Sequence, residues 1–264
     1  MRHNYLILIL VLAALLQTAK AEDETILIAT AANFSPAARE IIQRFNATTQ
    51  HHATLISASN GKLYAQIVNG APYDVLLAAD KTTPNRLAVS HHAFAESQFT
   101  YAQGRLALFI HDPTIIQENP KRNTQESDSE LIKKVITRWL TSSDKKMAIA
   151  NPNIAPYGRA AMETLTSVNL YQAVKSRLVQ AENISQAYQF VSTGNAALGF
   201  IALSHADHLT AKTMVIPKKL HQPIEQDAIL LTHAANNIAA LDFLEFLQNS
   251  AAKNIIEKYG YTIK

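Results

Sequence analysis

Residues 54–79 read TLISASNGKLYAQIVNGAPYDVLLAA. Thr54 to Ala58 is a strand-like run, broken by Ser59-Asn60-Gly61. Leu63, Ile67 and Val68 then recur at helical spacing until Asn69-Gly70 and Pro72 stop the helix. Asp74 to Ala79 follows directly as another apolar run, so the stretch reads strand, helix, strand. Two strands joined through a helix run parallel, which makes the fold class α/β.

The same order precedes and follows this stretch. Ile26 to Ala29 leads through a turn at Asn33 to Pro36 into a helix with Ala37, Ala38, Ile41, Ile42 and Phe45 on one face. Met147 to Ala150 leads through Asn151 to Gly158 into a helix over Arg159 to Leu165. Leu178 to Ala181 leads into a helix from Ile184 to about Val191, with Asn183 and Gln186 at capping-box spacing. Further strands are expected at Arg105–Ile110, Leu198–Leu203, Met214–Ile216 and Ala228–Thr232, and further helices at Glu130–Leu140, Ile238–Leu247 and Ala251–Tyr259. The polar stretch Asp112 to Ser129 reads as an exposed loop, and Asp80-Lys81-Thr82-Thr83-Pro84 as a cap or turn. No internal repeat of fixed period is visible.

Residues 1–21 read as a secretory signal peptide: Arg2 and His3, an apolar run from Tyr5 to Leu16, then Ala19-Lys20-Ala21. The run is shorter than the roughly 20 residues a spanning helix needs. Cleavage after Ala21 and a periplasmic location in a Gram-negative cell are expected. The sequence has no cysteine, which excludes a disulfide framework, thiolate metal sites and a lipid-modified cysteine anchor. Loss of Arg2 and Lys20 with the leader brings the formal charge of +3 close to neutral, so nothing argues for a nucleic-acid partner.

Four strand-to-helix junctions stand out: Ala32 to Ser35, Ser59 to Gly61, Pro156 to Gly158, and Asn183 to Ile184. Two fall early and two late, which suits one pair per lobe of a two-lobed molecule. Loops after the carboxyl ends of parallel strands line the ligand crevice, so two facing sheets would converge four helix N-termini on one point. Each N-terminus offers unpaired N–H groups and about half a positive charge, an anion site that needs no Lys or Arg.

These residues carry a resemblance. Ala31-Ala32-Asn33-Phe34, Ser59 through Ile67, Gly70 through Val75, Ala79-Asp80, Asn151-Pro152, Ala155-Pro156-Tyr157-Gly158 and the terminal Lys258 through Lys264 are similar, in order and spacing, to the periplasmic molybdate-binding proteins of ABC importers. That family has the type II periplasmic binding protein fold, two lobes, each a mainly parallel sheet flanked by helices, with the ligand cleft between them. The resemblance implies one lobe from residues 22–102 plus 224–264 and a second from 103–223, joined by two crossover hinges. It places the oxyanion ligands on Asn33 and Asn60, through side-chain donors, and on Tyr157 and Ile184, through backbone N–H. Ala32, Ser59 and Gly61 are possible additional contacts. Family members commonly have a hydroxyl residue where this chain has Asn60, and one branch has a tyrosine where this chain has Ala202. Tyr157 would supply the aromatic wall instead.

The implied function is capture of molybdate or tungstate by a monomer and its delivery to a membrane permease, with no cofactor and no direct metal-ion ligand. Neutral N–H and amide donors suit an acceptor-only dianion, whereas phosphate near neutral pH keeps a proton that needs an acceptor. Sulfate has the same charge and shape but is smaller. Two other readings stay open on the residues: a binding protein for sulfate or an organic anion, and an exported enzyme or adhesin on the same scaffold. For the enzyme no motif is present, with no Gly-x-Ser-x-Gly, no Gly-x-Gly-x-x-Gly and 7 glycines in all. Ten histidines include the pairs His51-His52 and His91-His92, and His205 with His208, which read as solvated surface rather than metal ligands.

Overall fold

The computed structural model describes residues 25–112, 115, 127–206 and 213–263. The expected leader at residues 1–21 and most of the expected loop between Asp112 and Ser129 lie outside them.

Among the described residues ten strands form two five-stranded sheets. The first contains β1 (Thr25–Ala31), β2 (His52–Ala58), β3 (Val75–Leu77), β4 (Phe99–Gly104) and β10 (Ile224–Leu230), in the order β2-β1-β3-β10-β4. The second contains β5 (Leu106–Ile110), β6 (Met147–Ala150), β7 (Leu178–Ala181), β8 (Leu198–Ala202) and β9 (Thr213–Val215), in the order β7-β6-β8-β5-β9. The two orders follow one plan. A central strand, β1 or β6, pairs in parallel with the two strands that follow it in the chain. The remaining strands, β10 with β4 and β5 with β9, add antiparallel. Parallel pairing therefore covers half of each sheet rather than most of it, because β5 and β10 arrive by crossing between the sheets and not through a helix.

The helices are α1 (Ser35–Thr48), α2 (Asn60–Val68), α3 (Thr82–Val89), α4 (Asp128–Ser142), α5 (Pro156–Ser167), α6 (Tyr171–Val174), α7 (Ile184–Ser192), α8 (Ile238–Gln248) and α9 (Ser250–Lys258). In α1 the expected apolar face is the buried one, with Ala37, Ala38, Ile41, Ile42 and Phe45 against the first sheet. At the start of α7 the Asn183 side chain accepts from the Gln186 N–H at 3.0 Å, while Gln186 Oε1 accepts from the Glu182 N–H at 2.7 Å. This reciprocal cap fixes where the helix begins.

Three elements depart from the expectation, among them the one-turn helix α6, which falls in a stretch where none was expected. α3 begins where a turn was expected, and Pro84 fits within its first turn because a helix leaves those N–H groups unbonded anyway. β4 is an edge strand with half-exposed Phe99 and Thr100, which blurs the apolar signal. Along β1 the side chains alternate between two cores, Ile26 and Ile28 on one face and Leu27 and Ala29 on the other. The second sheet has its own core around Trp139, Ile149, Leu198 and Phe200, and Ala31, Ala32 and Ala79 of the first lobe pack against it.

Candidate ligand-binding cleft

Each of the four junctions begins a helix with buried residues. The first is the single turn Ala32–Phe34 between β1 and α1, where Asn33 is 2% exposed. Its side-chain Nδ2 donates to Gln226 Oε1 at 2.9 Å and to the Tyr261 hydroxyl at 3.1 Å. Its backbone carbonyl accepts from Ser204 Oγ at 2.6 Å and from Tyr261 OH at 2.7 Å. Both amide hydrogens thus bond within the protein, and the donors Asn33 still offers are backbone N–H groups of the turn.

At the second junction Asn60 is also turned inward. Its Oδ1 accepts the Ala79 N–H at 3.0 Å and its Nδ2 donates to Thr83 Oγ1 at 3.3 Å, which fixes the end of β3 against the start of α2. Ser59, the residue before the helix, is different. Its buried hydroxyl has no hydrogen-bond partner among the described residues. A buried donor without a partner is costly unless something else satisfies it.

At the third junction Pro156 opens α5 and Tyr157 is 1% exposed. A Cβ on Gly158 would overlap the Ala150 carbonyl, so glycine lets the helix start close against β6. At the fourth, Ile184 is buried as the first residue of α7, and its side chain packs in the second core. Helix geometry leaves the first N–H groups of α5 and α7 without intrahelical acceptors, which is what makes the amides of Tyr157 and Ile184 available.

Hydrogen bonds and ion pairs join the junctions of one lobe to those of the other. Ser185 Oγ donates to the Ala32 carbonyl at 3.1 Å, joining the first junction to the fourth. The Gly61 N–H donates to the Ile154 carbonyl at 3.0 Å, joining the second to the third. Gln226, already bonded to Asn33, donates through Nε2 to the Tyr157 hydroxyl at 3.3 Å, joining the first to the third. Lys62 pairs with Glu182 at 2.6 Å, joining the second to the fourth. Asp80, which caps α3 by accepting the Thr83 N–H, also pairs with Arg159 of α5 at 2.9 Å. These contacts bring the four strand-to-helix junctions together where the two lobes meet.

The electrostatics of the cleft are those of neutral donors. Burial pushes the Tyr101 and Tyr157 hydroxyls well above the usual tyrosine range and Tyr261 to about 12, so all three stay protonated. His205, expected at the surface, is largely buried, with Nε2 2.9 Å from Ser185 Oγ. Desolvation lowers its pKa to about 4 and keeps it neutral. Gln226, Ser185, Ser204, His205 and Tyr101 escaped the sequence reading. Tyr261 lies in the terminal motif that carried the resemblance, and Gln226-Asp227 was visible as a polar pair at the head of the apolar run ending in Leu231.

The family of bacterial extracellular solute-binding proteins matches residues 26–262. The chain is a member of that family. Among curated relatives, the molybdate-binding protein ModA of Azotobacter vinelandii is 37% identical over 261 residues, covering 97% of each chain. ModA of Rhodobacter capsulatus is 37% identical over 237 residues, covering 89% of this chain and 87% of its own. Among solved structures, the periplasmic molybdate-binding protein of Azotobacter vinelandii superposes with a TM-score of 0.77 at 31% identity, over 90% of this chain and 99% of that one. The two-lobed α/β architecture is thus that of a solute-binding protein. Among the described residues no helix is long and apolar enough to cross a membrane.

Proposed function

We propose that this chain captures molybdate or tungstate in the periplasm and delivers it to the membrane permease of an ABC importer. The observation that carries this reading is the joining of four helix N-termini at one cleft, with an unpartnered buried hydroxyl at Ser59. The ligand oxygens would accept from backbone N–H groups at Ala32 or Asn33, Asn60, Tyr157 and Ile184 and from the Ser59 hydroxyl. None of these residues carries a carboxylate, and the acids beside them, Asp80 and Glu182, are each held in an ion pair. A site of donors alone favours a fully ionised tetrahedral dianion over a protonated one. The names of the relatives that are 37% identical favour molybdate among such dianions.

In this reading the lobes comprise residues 22–102 with 224–264 and residues 103–223, and the crossovers between them act as hinges. The protein works as a monomeric carrier without catalysis, cofactor or nucleic acid, released to the periplasm by cleavage after Ala21. Calorimetry against molybdate, tungstate, sulfate and phosphate tests the assignment. Tight binding of the first two, with sulfate and phosphate much weaker, is the expected result. Preference for sulfate, or no binding of any of the four, would overturn it.

A further inference from the structure

Gln226 is completely buried in β10, the strand that carries the chain back into the first lobe. Register against β4 shifts between Gln226 and Asp227: Gln226 faces Ala102 while Asp227 faces Thr100, leaving Tyr101 as the extra residue of a bulge. Such a bulge re-aims side chains. Here it lets the Tyr101 hydroxyl donate to Gln226 Oε1 at 3.0 Å, beside the bond that Oε1 accepts from Asn33. The other end of the carboxamide, Nε2, reaches the Tyr157 hydroxyl of the second lobe.

This last contact lies over Gly104, the final residue of β4 before the chain crosses to β5. A Cβ there would overlap the Tyr157 hydroxyl and come within 2.6 Å of Gln226 Nε2. Only glycine leaves room for the two groups to meet at the crossover. One amide therefore spans the lobes, with its acceptor end on the first junction and its donor end on the third.

We propose that Gln226 is a positioning residue for the cleft, holding Asn33 through its carbonyl and taking up the Tyr157 hydroxyl when the lobes meet, so that ligand occupancy and lobe closure are coupled through one carboxamide. The proposal rests on the reading of this cleft as the molybdate site. When the lobes separate, the bond to Tyr157 breaks while those to Asn33 and Tyr101 remain within the first lobe. Binding energy at the cleft and closure of the hinge then share the Gln226–Tyr157 hydrogen bond, alongside the contact of the same hydroxyl with Tyr261.

The test is a double-mutant cycle on the full protein with Gln226→Met, Tyr157→Phe and the pair, reading molybdate affinity by calorimetry and closure by the change in radius of gyration on loading. Each single change should weaken binding by about tenfold, and the double variant should be little worse than either single one. Gln226→Glu adds a pH readout. The neutral acid at about pH 5.5 can replace the amide and should bind nearly as the parent does, whereas the carboxylate at about pH 8 faces a dianion and should bind far more weakly. A merely structural role would lower melting without moving affinity or its pH profile. Parent-like affinity in both single variants, or fully multiplicative losses in the double, would overturn the proposal. Should Gln226→Met fail to fold, Tyr157→Phe removes one oxygen only, and its affinity decides. A parent protein that binds no molybdate would sink the functional reading, whereas a binding parent with indifferent variants sinks the role of Gln226 alone.

Discussion

Gly61 and Ile154 touch across the cleft: the N–H of one donates to the carbonyl of the other at 3.0 Å, and a Cβ on Gly61 would lie 2.8 Å from both Cβ and Cγ2 of Ile154. Ile154 is the branched side chain of the loop before α5, so there is little room for either side to give way. The contact exists only when the lobes meet.

Gly61→Ala should therefore separate folding from closure. Gly61 sits in the first turn of α2 with an ordinary helical backbone, where alanine is the better helix former by up to about 1 kcal/mol. The ligand-free protein should melt no lower than the parent. Closure meets the new methyl group, and molybdate affinity should fall by about tenfold or more, with a smaller contraction on loading. Calorimetry and solution scattering read both quantities, and parent-like affinity would show that the lobes do not need this approach.

Ser59 and Asn60, though adjacent, should respond in opposite ways. Ser59→Ala removes a hydroxyl that bonds nothing among the described residues, so melting of the ligand-free form should hold or rise. Binding should weaken by about 1.5–3 kcal/mol, roughly 10- to 150-fold, if that hydroxyl meets a charged oxygen. Asn60→Ser instead leaves the Ala79 N–H without its acceptor. It should lower stability by about 1–3 kcal/mol, visible as earlier melting without ligand. Equal affinity in Ser59→Ala and the parent would remove Ser59 from the site.

The succession of strand, polar break and helix was legible from local pattern, because a strand run, a short polar break and an apolar 3.6-residue period lie within some 15 residues of each other, although α3 was read as a turn and α5 begins at Pro156 rather than Arg159. Met147–Ala150 and Leu178–Ala181 have the expected bounds for that reason. What the side chains at those junctions bond to was not legible. Asn33 looks from its neighbours like a free donor at a helix start, yet its partners Gln226 and Tyr261 stand 193 and 228 positions away. No local signal reports a bond of that span. His205 shows the same limit, since a histidine in a polar stretch looks solvated until Ser185 and the Tyr188 ring close over it. β4 was missed for a different reason: the bulge at Tyr101 breaks the alternation, so Phe99 and Thr100 are both half-exposed while Tyr101 and Ala102 are both buried, and no two-residue period is left to detect.

The ion pairs across the cleft should matter little. Lys62–Glu182 and Arg159–Asp80 have short contacts, but the Lys62, Glu182 and Arg159 side chains are each nearly half exposed. Such pairs contribute about 0.2–1 kcal/mol, so Glu182→Gln or Arg159→Gln should weaken molybdate binding by no more than about fivefold. Raising the salt concentration should reduce the difference between each variant and the parent. A loss beyond about tenfold in either variant would mean that the pair governs closure and that surface screening underestimates it.

Stability should fall in mild acid through His205. In the folded protein burial depresses its pKa from the ordinary 6.5 to about 4, and among the described residues its Nδ1 has no partner that would welcome a proton. Between those two values the unfolded chain binds the proton and the folded one does not, so acid favours unfolding. The neutral histidine costs nothing above about pH 6.5, and the penalty grows as pH falls toward 4, reaching up to about 3 kcal/mol. Because Ser185 links His205 to the Ala32 carbonyl, the same proton would disturb the contact between the first and fourth junctions. His205→Asn keeps a polar group but cannot titrate. Melting of parent and variant from about pH 7 to pH 4 should show the parent losing stability faster, with the gap opening near pH 6.5. Parallel curves would mean that His205 is solvated enough in the folded protein to take up its proton freely.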